Sequence, residues 1–303
     1  MDWQSTCSAP EAQANLLAAR KVFMEHLPGY FFGGALFVFG LVVGSFLNVV
    51  IYRLPKRESI VFPGSHCPEC DAAIKPYDNI PVLSYAILGG RCRSCGVRIS
   101  PVYPAVELLV GVLYLLCFFR DGLNLALVAD LVFVSLIVPL VFIDFYHKLL
   151  PNLITYPGFV VVLVLRLLAP DPWILAHTPR WFGLESGPDW AVALLGSALG
   201  AAVGAGTLWL VREAYYRLRR VEGMGLGDVK MMLMVGAFLG WQLTLLTIFV
   251  GSLLGSIIGV LMITLRGGNM RMAIPFGVFL GPAAIIALYA GPAFIEWYAG
   301  MYR

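Results

Sequence analysis

The sequence predicts an all-α integral membrane protein with about eight transmembrane helices and a small metal-binding loop module between the first two. Composition, the spacing of the apolar runs and one cysteine pattern predict it. Of the 303 residues, 59% are hydrophobic and 13% charged, against roughly 25% charged in soluble domains. A water-soluble fold would have too few polar residues to cover its apolar surface, whereas membrane lipid is a partner that can solvate it. The net charge of +3 gives no reason to expect nucleic acid.

Residues 1–29 are mixed and read as an N-terminal segment outside the bilayer. The run 30–52 is the first span; no small-residue cleavage pattern follows it, so it reads as a retained helix. Residues 53–101 are polar and Pro-rich, of a size suited to a module stapled by metal. The runs 102–119, 123–144, 152–169, 190–211, 229–242, 243–265 and 273–295 supply the other spans, so 102–295 reads as a transmembrane core and 296–303 as a tail. A span needs roughly 20 apolar residues, and helix is the default because lipid satisfies no exposed backbone group. The sixth run is short and its join to the seventh, near Gly240 and Trp241, leaves seven spans as an alternative. No internal repeat or low-complexity tract is expected.

Lysine and arginine orient the bundle. With the N-terminus outside and eight spans, 15 of the 21 basic residues fall on the inner side, and 53–101 with them. Arg20, Lys21, Arg120, Arg166, Arg180 and Arg303 fall outside, as does the Pro-, Gly- and Trp-rich loop 170–189.

Within the inner module stand Cys67-Pro-Glu-Cys70 and Cys92-Arg-Ser-Cys95. A two-residue spacer lets both thiolates of a pair reach one tetrahedral ion, and the second pair completes the set. Disulfides are the competing reading, which a reducing compartment disfavours. Four protein ligands leave no open position, so zinc, or another thiolate-binding ion, is expected to be structural. His66 adjoins the cluster without being needed by it. Cys7 and Cys117 stand alone.

Carboxylates in or beside spans are functional candidates. Of the 18 acids, Glu107, Asp130, Asp144, Glu213, Asp228 and Glu296 lie there. Asp144 ends the third span and Asp228 precedes the sixth, in Gly225-Leu226-Gly227-Asp228-Val229-Lys230. Both fall at the inner membrane surface, 84 positions apart. If they meet, they can share one proton, the ionised partner taking a proton from water while the other protonates a carbonyl oxygen. Gly225 and Gly227 would let a substrate backbone approach closely. Each aspartate also has a plain reading, Asp228 as a helix cap and Asp144 as an interface marker. Asp130 lies ~21 Å from Asp144 along the same helix, toward the outer side. Glu107 is a possible third polar group. His147 and Lys148 read as interface anchors, and Lys230 as a substrate-steering cation or a plain inner-side charge. Intramembrane carboxylates alone would also permit a proton or cation pathway through Asp130, Asp144 and Asp228. A membrane scaffold with a zinc module for partner binding is a further reading.

Several of these pieces, in order, resemble the type IV prepilin peptidase family. They are Gly40-Leu41-Val42-Val43-Gly44-Ser45-Phe46-Leu47-Asn48 running to Arg53-Leu54-Pro55, the paired CxxC loop enclosing Tyr77-Asp78-Asn79-Ile80-Pro81, Tyr103-Pro104-Ala105-Val106-Glu107, the Asp144 segment ending in Leu150-Pro151-Asn152, and Gly225-Leu226-Gly227-Asp228. The resemblance implies a multi-pass enzyme of the bacterial inner membrane, with residues 1–29 periplasmic and the active site at the cytoplasmic face. It implies cleavage of prepilin or pseudopilin leaders after glycine, then N-methylation of the new terminus from S-adenosylmethionine. Catalysis carries over to Asp144 and Asp228, and zinc to Cys67, Cys70, Cys92 and Cys95. The cysteine loop favours the bifunctional form over a peptidase alone. Since inner-side basic residues would not attract a basic leader, recognition is expected to rest on Glu107, the aspartates and the glycine-lined approach. No glycine-rich nucleotide fingerprint is present, so the methyl-transfer candidates are Asn48, Arg53, Asp78, Asn79 and Glu107, with packing or turn roles equally open for Asn48 and Asn79.

Overall fold

The computed structural model describes residues 9–178, 187–221, 223–266 and 275–301, the side chains of 9–28 and 266 excepted. Cys7, Arg180, Arg271, Arg303 and much of the 170–189 loop therefore lie outside the described residues, as do the side chains of Arg20 and Lys21. The helices are α1 (Ala9–Arg53), α2 (Leu83–Ile87), α3 (Val102–Asp121), α4 (Leu125–His147), α5 (Asn152–Leu168), α6 (Pro172–His177), α7 (Asp189–Arg219), α8 (Leu226–Arg266) and α9 (Gly277–Gly300). Two short 3₁₀ turns, Leu54–Lys56 and Pro76–Asp78, lie in the module.

Six of these helices are long and apolar enough to cross a membrane, and α5 is an apolar helix of 17 residues. The α8 helix counts twice. It breaks at Gly240, whose φ of 76° favours glycine. A point beside Gly204 faces both the Met232 carbonyl and the Thr244 side chain, yet 12 residues of straight helix would separate those by ~18 Å. Likewise Met231 and Gly251 lie against the neighbours Gly281 and Leu280. The chain therefore folds back at Gly240, and the described residues hold eight apolar helices. The sequence boundary between spans six and seven coincides with this break. Three features add to the sequence expectations. The mixed segment 1–29 is helical from Ala9 and continuous with the first span; residues 170–189 contain a helix, α6, capped by the Asp171 side chain on the Trp173 amide at 2.8 Å; and the fifth span continues to Arg219.

Small residues set the packing, as expected where lipid removes the hydrophobic drive between helices. A methyl on Gly40 would sit 2.8 Å from the Gly111 Cα, and one on Gly44 2.7 Å from the Glu107 Cα, so α1 lies directly on α3. In the same way Gly200 meets the Gly236 backbone, drawing α7 onto the first half of α8. These contacts run α1 antiparallel to α3, and α4 returns beside α3. The N-terminus of α3, the C-terminus of α4 and the start of α8 thus share one end of the bundle with the cysteine module.

The opposite end is tied by charge. Arg120 on α3 meets Asp130 on α4 at 2.7 Å and Asp171 before α6 at 3.3 Å. Arg166 on α5 is 2% exposed; it faces Asp171 at 3.5 Å and Asp130 at 3.9 Å. Its Nε donates to the Phe238 carbonyl at 3.0 Å and its guanidinium lies 3.7 Å over the Phe238 ring. Phe238 precedes the Gly240 break, which deprives carbonyls there of helical partners, so Arg166 satisfies a group that lipid would leave bare.

Candidate active site and metal centre

Asp144 occupies the last turn of α4 and Asp228 the first turn of α8. They are 4% and 7% exposed, so each carboxyl is held in protein rather than in water. Both converge on the start of α9. A methyl placed on Gly277 would lie 2.7 Å from Asp144 Oδ2 and 3.3 Å from Asp228 Oδ1, which caps the separation of the two oxygens at the sum of those distances. The Val278 amide donates to Asp144 Oδ2 at 3.1 Å, and the Gly277 amide faces both carboxylates. A helix N-terminus carries unpaired amides and partial positive charge, the complement of an anion.

Gly277 and Val278 were not among the sequence candidates. Their signal was Pro275-Phe276-Gly277 opening the last apolar run, a glycine at a helix start. A methyl on Gly225 would meet only the Gly227 backbone nitrogen, at 3.8 Å, whereas one on Gly227 would sit 3.0 Å from the Leu150 side chain, so Gly227 also serves packing. Lys230 donates to the Asn152 side chain at 3.0 Å, tying α8 to α5. Asp130 is not near the pair. It is neutralised by Arg120 and Arg166 at the other end, which removes the string of free carboxylates that a proton or cation pathway needs. Glu213 pairs with Arg217 one turn on, and Glu296 is exposed.

The methyl-transfer candidates are largely occupied. Asn48 Nδ2 donates to the Tyr103 carbonyl at 3.0 Å, joining α1 to α3. Arg53 is buried and donates to the Ser59, Pro63 and Gly64 carbonyls at 2.7–3.2 Å. Asp78 is gripped by Arg93 at 2.6–3.0 Å, and this ion pair holds the Asp78 carboxyl below its ordinary range. Glu107 accepts from the Val82 amide at 2.7 Å. Asn79 is exposed.

In the module, ligand atoms of Cys67, Cys70, Cys92 and Cys95 all lie within 4.8 Å of one another. The Cys67–Cys95 sulfur separation is 3.8 Å, close to the edge of a tetrahedron with bonds of ~2.3 Å. These four sulfurs could hold one metal ion. The scaffold also reveals a repeat that the sequence reading missed: Cys67-Pro-Glu-Cys70-Asp71-Ala72-Ala73-Ile74-Lys75-Pro76 matches Cys92-Arg-Ser-Cys95-Gly96-Val97-Arg98-Ile99-Ser100-Pro101. In each, the first cysteine's amide bonds the carbonyl five residues on, Cys67 to Ala72 and Cys92 to Val97. Asp71 and Gly96 both take positive φ after the second cysteine, and short bridges pair His66 with Ala73 and Arg91 with Arg98. The period was hidden because only the cysteines, isoleucine and proline are common to both copies. His66 turns Nδ1 to the Gly64 carbonyl at 3.0 Å. Cys117 is buried against the Tyr289 hydroxyl at 3.0 Å.

Fold and site together define a polytopic helical membrane protein with paired buried carboxyls and a four-thiolate module at one end. Residues 38–120, which hold the cysteines, match the bacterial peptidase A24 N-terminal domain, and residues 131–260, which hold both aspartates, match the type IV leader peptidase family. The chain is 41% identical over 244 residues to a prepilin leader peptidase/N-methyltransferase of Myxococcus xanthus, covering 80% of this chain and 67% of the relative. It is 38% identical over 283 residues to the protein of that name from Pseudomonas aeruginosa, covering 86% and 90%. Identity is 34% over 287 residues to that of Legionella pneumophila, covering 87% and 93%. No solved structure matches. The chain belongs to the type IV leader peptidase family.

Proposed function

We propose that the protein is a prepilin leader peptidase and N-methyltransferase that cleaves the leader of type IV prepilins, and of pseudopilins, after glycine. It then methylates the new N-terminus from S-adenosylmethionine. The observation that carries the peptidase reading is the convergence of Asp144 and Asp228 on the amide-bearing start of α9. The ionised carboxyl removes a proton from a bound water, and the oxygen attacks the scissile carbonyl carbon. The other carboxyl gives its proton to the carbonyl oxygen. Collapse of the tetrahedral species breaks the C–N bond: the departing amine takes up the proton held by the first aspartate, and a hydroxyl of the tetrahedral carbon returns its proton to the second carboxyl as the carbonyl re-forms. The pair is symmetric enough in burial that neither role is tied to one residue.

The basic-residue pattern supports a bacterial inner membrane orientation with this end cytoplasmic. A prepilin keeps its apolar helix in lipid, so its scissile bond lies at the water boundary, the depth of Asp144 and Asp228. Gly225 offers the extended substrate backbone open space there. Zinc fits the four sulfurs and would close the two knuckles into one unit; with four protein ligands its role is structural. S-adenosylmethionine would supply an electrophilic methyl to the substrate's own amine, leaving the protein to orient the two. The module lies at the same end of the bundle as the aspartates, which supports this assignment.

The test uses purified protein, a prepilin and mass measurement of the leader and mature pilin. Wild type releases the leader, while Asp144→Asn and Asp228→Asn do not; cleavage by both variants at the wild-type rate refutes the dyad. With labelled S-adenosylmethionine, label enters the mature pilin, and its absence refutes the methyltransferase reading alone.

A further inference from the structure

Val82 has φ 60° and ψ −47°, a conformation that β-branched residues adopt only under strain. The Leu83 amide donates to the Pro81 carbonyl at 2.6 Å, closing a three-residue γ-turn of the strained, positive-φ kind. The Val82 amide donates to Glu107 Oε2 at 2.7 Å. Glu107 is buried five residues into α3, ~8 Å below the helix start. Ser45 of α1 lies beside this carboxylate, and Gly44 admits α1 against the Glu107 backbone. The carboxylate thus faces two spans and one strained turn. Glu107 is 8% exposed. A strained turn persists only where its surroundings hold it, and Glu107 supplies the hold.

We propose that Glu107 is a positioning residue, whose carboxylate latches the Pro81–Leu83 turn to α1 and α3 and so keeps the cysteine module in register with the aspartates. The proposal rests on the bifunctional reading, in which the amine released at the dyad must reach a methyl donor held by the module. It replaces the expectation that Glu107 recognises substrate. A latch needs a hydrogen-bond acceptor, whereas recognition of a cationic leader or amine needs charge.

Three variants of the full chain separate these roles. Glu107→Gln keeps an acceptor oxygen without charge. Glu107→Ala removes the acceptor. Val82→Gly adopts positive φ without strain, so it removes the turn's dependence on the latch. Leader cleavage, methyl transfer from S-adenosylmethionine and amide exchange of a peptide covering 82–84 are measured on each. Glu107→Ala is expected to expose that peptide to exchange and to lower methyl transfer about tenfold relative to cleavage, the scale of a strained residue's cost. Glu107→Gln is expected to match wild type in both readouts, and Val82→Gly to restore the Glu107→Ala enzyme. Where the alanine variant does not accumulate, Glu107→Met, similar in length and lacking the acceptor, makes the same comparison. The latch is overturned if exchange at 82–84 is unchanged by loss of the acceptor, if Glu107→Gln behaves like Glu107→Ala, or if Val82→Gly gives no rescue. Failure of wild type to methylate would instead sink the bifunctional reading, while the exchange comparison still decides the latch.

Discussion

Replacing Gly277 by alanine tests the dyad geometry without touching either aspartate. Its added methyl would sit 2.7 Å from Asp144 Oδ2 and 3.3 Å from Asp228 Oδ1, whereas ordinary contact begins at 3.4 Å. Asp144 is thus forced back by several tenths of an ångström, and the 3.1 Å bond from the Val278 amide lengthens with it. Gly277 has no positive φ, so alanine is tolerated by the backbone and favours helix by about 1 kcal/mol. Stability should hold while activity falls. Displacements of this order in a reacting constellation reduce rate by about a hundredfold. The assay is single-turnover leader release, paired with thermal unfolding in detergent. Gly259→Ala serves as a control, because nothing lies within 4 Å of its added methyl, and it should cleave like wild type. Cleavage by Gly277→Ala within threefold of the control, with unfolding unchanged, would refute the claim that both carboxyls act at the start of α9.

Arg166→Ala leaves Asp130 and Asp171 undercompensated and the Phe238 carbonyl bare; broken buried pairs cost about 3–5 kcal/mol, so a marked fall in thermal midpoint is expected, and an unchanged midpoint would deny the network a stabilising role. Cys67→Ser with Cys92→Ser should abolish metal retention, read by elemental analysis, and open the 53–101 region to proteolysis; a module equally resistant without metal would refute the structural ion. Arg93 depresses the Asp78 carboxyl in the folded module, so that pair's contribution is present above the ordinary aspartate range and is lost as pH falls through the lowered folded value. Arg93→Gln should therefore weaken module protection at neutral pH and flatten its acid dependence, as measured by limited proteolysis against pH.

Much of the fold was legible because lipid acts on each residue alone. A run such as 123–144 is apolar enough to be read without knowing its neighbours, and the Cys67–Cys70 and Cys92–Cys95 spacings carry their own geometry. Asp144 and Asp228 stood out because a carboxylate at a span's end is costly wherever the helix packs. Partnership was less legible. Arg120 and Arg166 read as charges on the outer side, yet they pair with Asp130 and Asp171, and Arg166 does so while wholly buried. Glu107 read as a group facing substrate, and nothing local announced that its Oε2 also accepts from the Val82 amide. Gly277 carried no charge to draw notice.

The sequence by itself determined which segments belong in lipid, which four thiolates can share an ion, and which two carboxyls are anomalous, because each follows from local solvation or from spacing of a few residues. Tertiary structure alone decided that Asp144 and Asp228, 84 positions apart, converge on one glycine, that α8 folds back at Gly240, and that a buried arginine pins the break. Those outcomes depend on backbone approach at Gly44, Gly200 and Gly204, where the absence of a side chain lets distant helices touch, and no local pattern states which helix will fill the space.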